Sequence, residues 1–317
     1  MGGSGEVDRE SFDAEASAVF RSTGDPAEGV HGPGSTTWRI ARESVLFLGG
    51  GRAALLQLAH PYVAHAVAEH SETQTDPIGR FERTFRHVYA MIFGDLGHAR
   101  RSSDRVRRIH ETIEGTIDEH VGAFAPGDRY LANDATALLW VHATLIHTAL
   151  QVYDAVVAPL SFADKDAYWR ESKRFARLFG VPAADLPDSW TDFERWFASM
   201  LDSDLIAVGR PAKEIARFLL TPPRASAAPI LGWYRLMTAG LMPRSLREPF
   251  GLRYTRRDAL LFHSSLRTLR STYPLLPRRL RDVPAYVEAQ KRLAGDETPD
   301  QFGRTIEKLA LRVVAPA

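Results

Sequence analysis

Residues 135–157 read ATALLWVHATLIHTALQVYDAVV, and the first nineteen of them form the longest stretch of the chain without a formal charge. Asn133 or Asp134 is placed to cap this segment, whose apolar residues recur at helical spacing. The stretch is nearly long enough to cross a membrane, but it also holds His142, His147, threonines and a glutamine. Polar groups at that density suit a helix buried within a protein, so we expect no integral membrane span.

The same periodicity recurs on both sides of this segment. Apolar residues from Ala53 to His70 predict a helix, which Pro61 is expected to kink or to divide into two abutting helices. Another helix is predicted from Asp76 to about Phe93.

Few segments alternate with period two, so we predict an all-α fold, a single large multi-helix globular unit with ten or so helices and no regular sheet. The remaining helices are predicted around residues 10–21, from a cap at Ser103–Asp104 to about Val121, and around residues 165–179, 190–205, 211–220 and 230–281.

A length of 317 residues favours one large domain or two closely packed ones. We divide the chain into a flexible N-terminal lead-in (residues 1–30), a helical core (31–220) and a C-terminal helical region packed on that core (221–317). The lead-in is rich in Gly, Ser and acidic residues and lacks the apolar segment of a signal peptide. A cytoplasmic location is therefore expected.

Composition excludes several classes of function. Forty basic residues against 39 acidic ones give a net charge of +1, which gives no support to nucleic-acid binding. The chain has no cysteine, so disulfides, thiolate metal sites and cysteine nucleophiles are excluded. The run Gly49–Gly51 lacks the spacing of a phosphate-binding loop, and neither GxSxG nor HExxH occurs. Any metal must be held by His, carboxylate, Tyr, Met or backbone oxygen.

Two histidines lie on apolar faces of predicted helices. His110 shares a stripe with Val106 and Ile113, and His142 has a similar setting in the helix quoted above. A neutral imidazole inside a protein needs a hydrogen-bond partner or a metal. Either histidine could be structural, with His110 paired, for example, to Glu114 one turn later. In the alternative, the two helices face each other across a cavity that holds a flat aromatic cofactor bound through one imidazole nitrogen.

The predicted helix after Asp76 also carries a row of polar side chains. Arg80, Arg83, Thr84 and His87 recur at helical spacing beside an apolar row. This row is either a solvated face or a set of hydrogen-bond donors that lines one wall of the same cavity.

Several motifs follow the pattern of one known family. They are Gly32-Pro-Gly-Ser-Thr-Thr-Trp-Arg39, Leu48-Gly-Gly-Gly-Arg-Ala-Ala-Leu-Leu-Gln-Leu-Ala-His-Pro61, Arg80-Phe-Glu-Arg-Thr84, Phe93-Gly-Asp95, Trp140-Val-His-Ala-Thr-Leu145 and Leu178-Phe-Gly-Val-Pro182. In these motifs the chain resembles the MpaB and rubber oxygenase (latex-clearing protein) catalytic-domain family, and the MpaB-like branch more than the rubber-cleaving one. The resemblance covers roughly residues 31–220 and is looser after residue 230.

This resemblance implies an all-α core with an internal pocket for haem b, whose iron is bound by one helical histidine, and dioxygen as co-substrate. The metal-binding role then falls to His110. His142 corresponds to a further pocket histidine and is the alternative ligand. Haem propionates would pair with arginines, for which Arg52 and the ten arginines between Pro243 and Arg281 are the candidates.

The resemblance also assigns catalytic roles to Arg80, Arg83 and Thr84. Rubber oxygenases carry an Arg-x-x-Lys-Thr element on the side of the haem where dioxygen reacts, and here Arg83 stands in the place of the lysine. A guanidinium does not readily release a proton or bind iron, which argues against polymer cleavage but leaves haem binding intact.

The function expected from the sequence is a haem b-dependent oxygenase that acts on a small hydrophobic metabolite, with a redox partner of unspecified kind. Two alternatives stay open. One is a haem protein with peroxidase-like, dehydrating or electron-handling activity, and the other is a non-catalytic helical ligand-binding protein.

Overall fold

Helices account for most of the chain in the computed structural model, which describes residues 5–71, 76–221 and 225–314. These ranges contain sixteen α-helices and one short antiparallel sheet, so the predicted all-α fold is confirmed. The expectation of no regular sheet is wrong in one place, and the helices are more numerous than predicted. The elements are α1 (Arg9–Arg21), α2 (Thr36–Ala41), α3 (Gly50–Leu58), α4 (Pro61–His70), α5 (Pro77–Phe93), α6 (Leu96–His110), β1 (Glu114–Thr116), β2 (Arg129–Leu131), α7 (Ala135–Val156), α8 (Phe162–Leu178), α9 (Trp190–Leu201), α10 (Arg210–Leu220), α11 (Ala228–Leu241), α12 (Arg244–Arg247), α13 (Arg256–Thr272), α14 (Arg278–Arg281), α15 (Pro284–Leu293) and α16 (Gln301–Val314).

Helix α7 lies at the centre of the fold. Asp134 caps it by accepting a hydrogen bond from the Ala137 backbone N–H at 2.8 Å, as predicted. The buried Trp140 ring donates from Nε1 to the Leu56 carbonyl at 2.7 Å and stacks on Phe197. Among the described helices α7 alone has the length and hydropathy of a membrane span, and 67% of its most apolar window is buried inside the protein.

The predicted division at Pro61 is confirmed. His60 is extended, with φ −87° and ψ 117°, and Pro61 is the first residue of α4. Proline has no backbone N–H to donate to a preceding turn, so it suits a helix start. The Ala59 carbonyl at the break accepts a hydrogen bond from the Ala207 N–H at 2.8 Å.

Helices α5 and α6 form a hairpin closed by Gly94 and Asp95. Asp76 caps α5 by accepting from the Gly79 N–H at 2.9 Å, and Asp95 caps α6 by accepting from the His98 N–H at 2.7 Å. Because only two residues join the packed helices, they run antiparallel.

The predicted helix from Ser103–Asp104 to Val121 is wrong. Helix α6 begins earlier, at Leu96, and ends at His110. The residues that follow include Gly115 and several β-branched side chains, which favour extended backbone over helix. They form β1, in which Gly115 pairs with Tyr130 of β2.

Elements from both ends of the chain pack against this framework. Phe12 of α1 is 1% exposed and belongs to the same core as α7 and α8. On the other side, Met237 of α11 and Phe262 of α13 pack with Val152 of α7 and Leu48.

Replacing Trp140 with Phe tests the central contact. The substitution keeps an aromatic ring but leaves the buried Leu56 carbonyl without its donor, so we expect a loss of about 1–3 kcal/mol in the free energy of unfolding, measured by urea denaturation. The matched control is Trp233→Phe, because Trp233 is 38% exposed and its Nε1 bonds Ser265. We expect the control to change stability by less than about 0.5 kcal/mol. Equal losses in both variants would contradict the central role of the Trp140 bond.

Candidate functional site

The α5–α6 hairpin brings Arg80 and His110 to the same end. His87 Nδ1 of α5 lies 3.3 Å from Ser102 Oγ of α6, which fixes the register of the two helices. Arg80 is seven residues before His87 and His110 is eight residues after Ser102. In antiparallel helices both displacements, roughly 11 and 12 Å, point the same way.

Contacts beyond the hairpin support this placement. Arg80 Nε donates to Ser71 Oγ at 3.1 Å, and the neighbouring His70 ring lies 3.1 Å from the Glu114 carbonyl. The chain between His110 and Glu114 is a single turn, in which the Ile113 N–H bonds the His110 carbonyl. Two of the predicted site residues therefore share one end of the hairpin.

The imidazole of His110 is uncharged near neutral pH. Burial lowers its pKa to about 4, and the positive charge of Arg107 acts in the same direction. By accessible area the side chain is half-buried. It has no hydrogen-bond partner among the described residues. An uncharged imidazole without a partner is in the form that binds a metal.

The predicted setting of His110 in the middle of a helical stripe is wrong, because α6 ends at His110. Glu114 is not its partner, since the Glu114 carboxylate pairs with Arg129 across the small sheet. His110 therefore lies at a helix C-terminus, with β1 beginning four residues later.

The polar row of α5 divides into two environments. Arg80 is half-buried, and burial lowers the pKa of its guanidinium, with a smaller effect from the charge of Arg83. Arg83 and Thr84 are exposed. Arg83 pairs with Asp76 at 3.1 Å, and the Thr84 hydroxyl donates to the Arg80 carbonyl at 2.9 Å.

The outer part of the row belongs to an open groove of about 550 Å³ between α5 and α6. Its walls are polar and mostly basic, which does not match the expected apolar cavity. The lining residues are Arg83, Arg86, His87, Arg101, Ser102, Asp104, Arg105 and Arg108.

An aromatic cluster lies beside Arg80 on α5. The Phe47 ring contacts Phe81 and Phe85 at centroid distances of 5.5 and 5.0 Å, and Tyr89 continues the row. Burial raises the pKa of Tyr89, although its side chain keeps accessible surface. This cluster supplies an apolar wall next to the Arg80 end of the hairpin.

His142 is surrounded by aromatic rings. Its centroid lies 5.9 Å from that of Trp169 and 5.8 Å from that of Phe175, and Nε2 is 3.4 Å from Ser172 Oγ. Its Nδ1 is buried without a hydrogen-bond partner in the described part of the chain. Burial lowers the pKa of His142 to about 3.

Next to His142 lies His31, which our sequence interpretation missed. Both of its ring nitrogens are buried and unbonded within the described ranges. Its pKa falls to about 3 through burial, with smaller effects from the charge of Arg174 and from His142 when that ring is protonated. His31 precedes the turn at Gly32, where no helical periodicity gives a signal.

Arg52 lies in a different cavity. This space of about 470 Å³ is bordered by α3, α7, α9, α11 and the segment 242–247, and no residue of α5 or α6 lines it. It does combine Arg52 with Arg244 and Arg247, two members of the predicted arginine set. His110 and Arg52 are therefore not brought to one cavity.

One further cluster has metal-ligand chemistry. His65, Asp118 and Glu119 bring one ligand atom each within 4.8 Å of one another. Asp118 is already paired with the Arg210 guanidinium, and Glu119 accepts from the Arg210 backbone N–H at 2.8 Å. The cluster is thus an ion-pair network as well as a possible ligand set.

Comparison with known proteins gives a family match. The family model described as ER-bound oxygenase mpaB/B'/Rubber oxygenase, catalytic domain, matches residues 37–271. Two relatives, uncharacterised proteins of Mycobacterium bovis and Mycobacterium tuberculosis, are each 24% identical over 235 residues, which is 71% of this chain and 88% of the relative. No solved structure matches the chain significantly.

The interior histidines predict a steep loss of stability in acid. Each has a pKa in the folded state below its ordinary value of 6.5, so the unfolded chain binds protons first as the pH falls. The contribution of each histidine to the free energy of unfolding is therefore complete above pH 6.5 and is lost as the pH falls toward 4. We expect His142→Leu to reduce the slope of unfolding free energy against pH by about 1.4 kcal/mol per pH unit. The measurement is urea denaturation between pH 4.5 and 7. The histidines concerned are His31, His60, His110, His142 and His147.

The control for this experiment is Phe175→Leu. It alters the packing around His142 without removing a titratable group, so it should lower stability equally at every pH. A slope unchanged by His142→Leu would show that His142 is protonated in the folded state.

Proposed function

This chain belongs to the family of the ER-bound oxygenase mpaB/B' and rubber oxygenase catalytic domain, and from that premise we propose that it is a haem b-dependent oxygenase acting on a small hydrophobic metabolite. The resemblance read from the motifs is confirmed, and the match extends beyond residue 220 to residue 271. The matched domain is an oxygenase catalytic domain, which supports an oxidoreductase that uses dioxygen. Haem, the iron ligand and the substrate class are the proposal.

The observation that carries the proposal is that His110 and Arg80 lie at the same end of the α5–α6 hairpin. His110 is an uncharged imidazole without a hydrogen-bond partner in the described part of the chain, and the Arg80 guanidinium is half-buried. A metal ligand and a cationic donor are two of the parts that oxidation by dioxygen requires. The aromatic cluster around Phe47 and Phe85 gives an apolar wall that suits both a porphyrin and a hydrophobic substrate.

The donor chemistry fits haem at His110 better than at His142. The rings of Trp169 and Phe175 occupy the space around His142. His110 lies at the end of a helix, where its ring keeps accessible surface. We therefore assign the iron to His110 and a supporting role in the pocket to His142. Arg52 is left out of the haem site because its guanidinium faces the other cavity.

When bound, haem b supplies the iron at which dioxygen reacts. Arg80 gives its Nε–H to Ser71 and would use its other N–H groups to stabilise negative charge that develops during the reaction. The Thr84 hydroxyl proton is held by the Arg80 carbonyl, so Thr84 must rotate before it can donate to a ligand. Arg83 is held by Asp76 at the start of α5 and acts by positioning that turn.

The two alternatives predict different outcomes in simple experiments. A haem protein without oxygenase activity would be coloured but would consume no dioxygen on any hydrophobic substrate. A ligand-binding protein would be folded, colourless and free of iron. Our proposal places the oxygenase in the cytoplasm with an external source of electrons.

Replacing His110 with Ala is expected to abolish haem binding. The protein isolated from haem-supplied cells should show a Soret band and a stoichiometric pyridine haemochrome, and both should be lost in His110→Ala because the imidazole is the proposed iron ligand. His120→Ala is the matched control, since His120 is exposed, and it should keep the Soret band. Loss of the band in His142→Ala but not in His110→Ala would move the iron to His142. A colourless folded wild type would refute the haem proposal.

Replacing Arg80 with Gln is expected to slow the reaction without removing haem. Loss of one preorganised donor to a developing negative charge costs roughly 10²–10³-fold in rate. The measurement is dioxygen consumption with a chemical reductant, normalised to haem content. Arg86→Gln, an exposed arginine on the same helix, should stay within about twofold of wild type. If Arg80→Gln consumed dioxygen as fast as Arg86→Gln, Arg80 would have no role in the reaction.

A further inference from the structure

Arg52 is a buried positive charge without a counter-ion. Its side chain is 1% exposed, and it forms no ion pair with any described carboxylate. Removing a charged group from water is costly unless an opposite charge or several hydrogen bonds compensate. Burial accordingly lowers the pKa of Arg52 to about 9, yet the guanidinium stays charged at neutral pH.

Arg52 forms hydrogen bonds with three protein groups, which leaves some of its N–H groups without a partner. Nε donates to the Leu241 carbonyl at 3.0 Å, one terminal nitrogen donates to Thr148 Oγ1, and the other lies 3.1 Å from His147 Nδ1. A guanidinium has five N–H donors, so one remains on each terminal nitrogen. A carboxylate has two oxygens, each of which can accept one of these N–H groups.

His147 adds a further donor to the same cavity. Burial, reinforced by the charge of Arg52, lowers the pKa of His147 to about 3, so the ring is uncharged. Its Nδ1 accepts from Arg52, which places the ring proton on Nε2. That nitrogen has no hydrogen-bond partner within the described ranges, and the His147 side chain is half-buried. The ring is held in place by stacking on Phe197, at a centroid distance of 4.4 Å and an interplanar angle of 16°.

The other residues that line the cavity indicate the chemistry of the rest of the ligand. Phe197, Leu201 and Met242 provide apolar surface in a cavity of about 470 Å³, a size typical of small-molecule sites. Arg247 at the edge donates to the Met242 and Gly240 carbonyls, and Arg244 also lines the cavity, so the lining is positively charged. Glu194, which also lines the cavity, repels a doubly charged phosphate more strongly than a singly charged carboxylate.

We propose that this cavity is a second ligand site, which binds a monocarboxylate with an apolar body, the carboxylate on Arg52 and His147 and the body against Phe197 and Leu201. The site is separate from His110 and Arg80, since no residue of α5 or α6 lines the cavity, and it does not depend on the proposed oxygenase function. The bound carboxylate supplies the negative charge that the buried guanidinium lacks.

The test is calorimetric titration of the full-length protein with straight-chain carboxylates from acetate to dodecanoate. We expect one saturable site whose affinity rises with chain length, at least tenfold weaker binding of 1-octanol than of octanoate, and no competition from inorganic phosphate. Arg52→Gln should weaken octanoate binding at least tenfold. Arg195→Gln, an exposed arginine on α9, is the matched control and should bind octanoate as wild type does.

Because Arg52 is buried, its replacement can impair folding, and Leu201→Trp provides an independent variant. It fills the apolar end of the cavity and leaves Arg52 intact, so it should abolish octanoate binding while acetate still binds. The proposal is overturned if no carboxylate of the series binds, if 1-octanol binds as tightly as octanoate, if phosphate displaces octanoate, or if folded Arg52→Gln and Leu201→Trp both bind it within twofold of wild type. Haem content, measured on the same samples, is expected not to change.

Discussion

The burial of α7 is the constraint on which the rest of the structure depends. A helix with 22 residues and few charges is stable inside a protein when most of its polar side chains find partners there. Trp140 finds the Leu56 carbonyl, and Thr148 and His147 find Arg52. Those bonds hold α3 against α7 and keep the charged Arg52 guanidinium buried beside its cavity. His142 is satisfied only weakly, by Ser172 at 3.4 Å, and stays uncharged among aromatic rings.

The sequence was enough to predict helix starts and breaks that depend on a capping residue or a proline. Asp134 before a long apolar run predicted the start of α7, and Pro61 after His60 predicted the break between α3 and α4, since proline cannot donate to the preceding turn. The end of α6 was mispredicted because Ile113 and Ile117 also fall at helical spacing. That spacing does not reveal that the segment pairs with β2, a partner about fifteen residues away.

The candidate site was predictable as a set of residue types but not as an arrangement. The helical row on α5 and the family motifs singled out Arg80 and His110, and the hairpin brings them to one end. Periodicity could not separate half-buried Arg80 from exposed Thr84, because burial depends on which elements cover α5. The pairing of Arg52 with His147 joins positions 95 residues apart, and such a contact has no local signal.

The two-residue closure of the α5–α6 hairpin has an evolutionary consequence. Since each residue of an α-helix advances the chain by about 100° around its axis, one residue inserted next to Gly94 would rotate every later side chain of α6 relative to α5. The direction of the His110 side chain relative to Arg80 would then change. Homologues that retain both side chains in these roles are therefore expected to keep the length of this connection, whatever residues compose it.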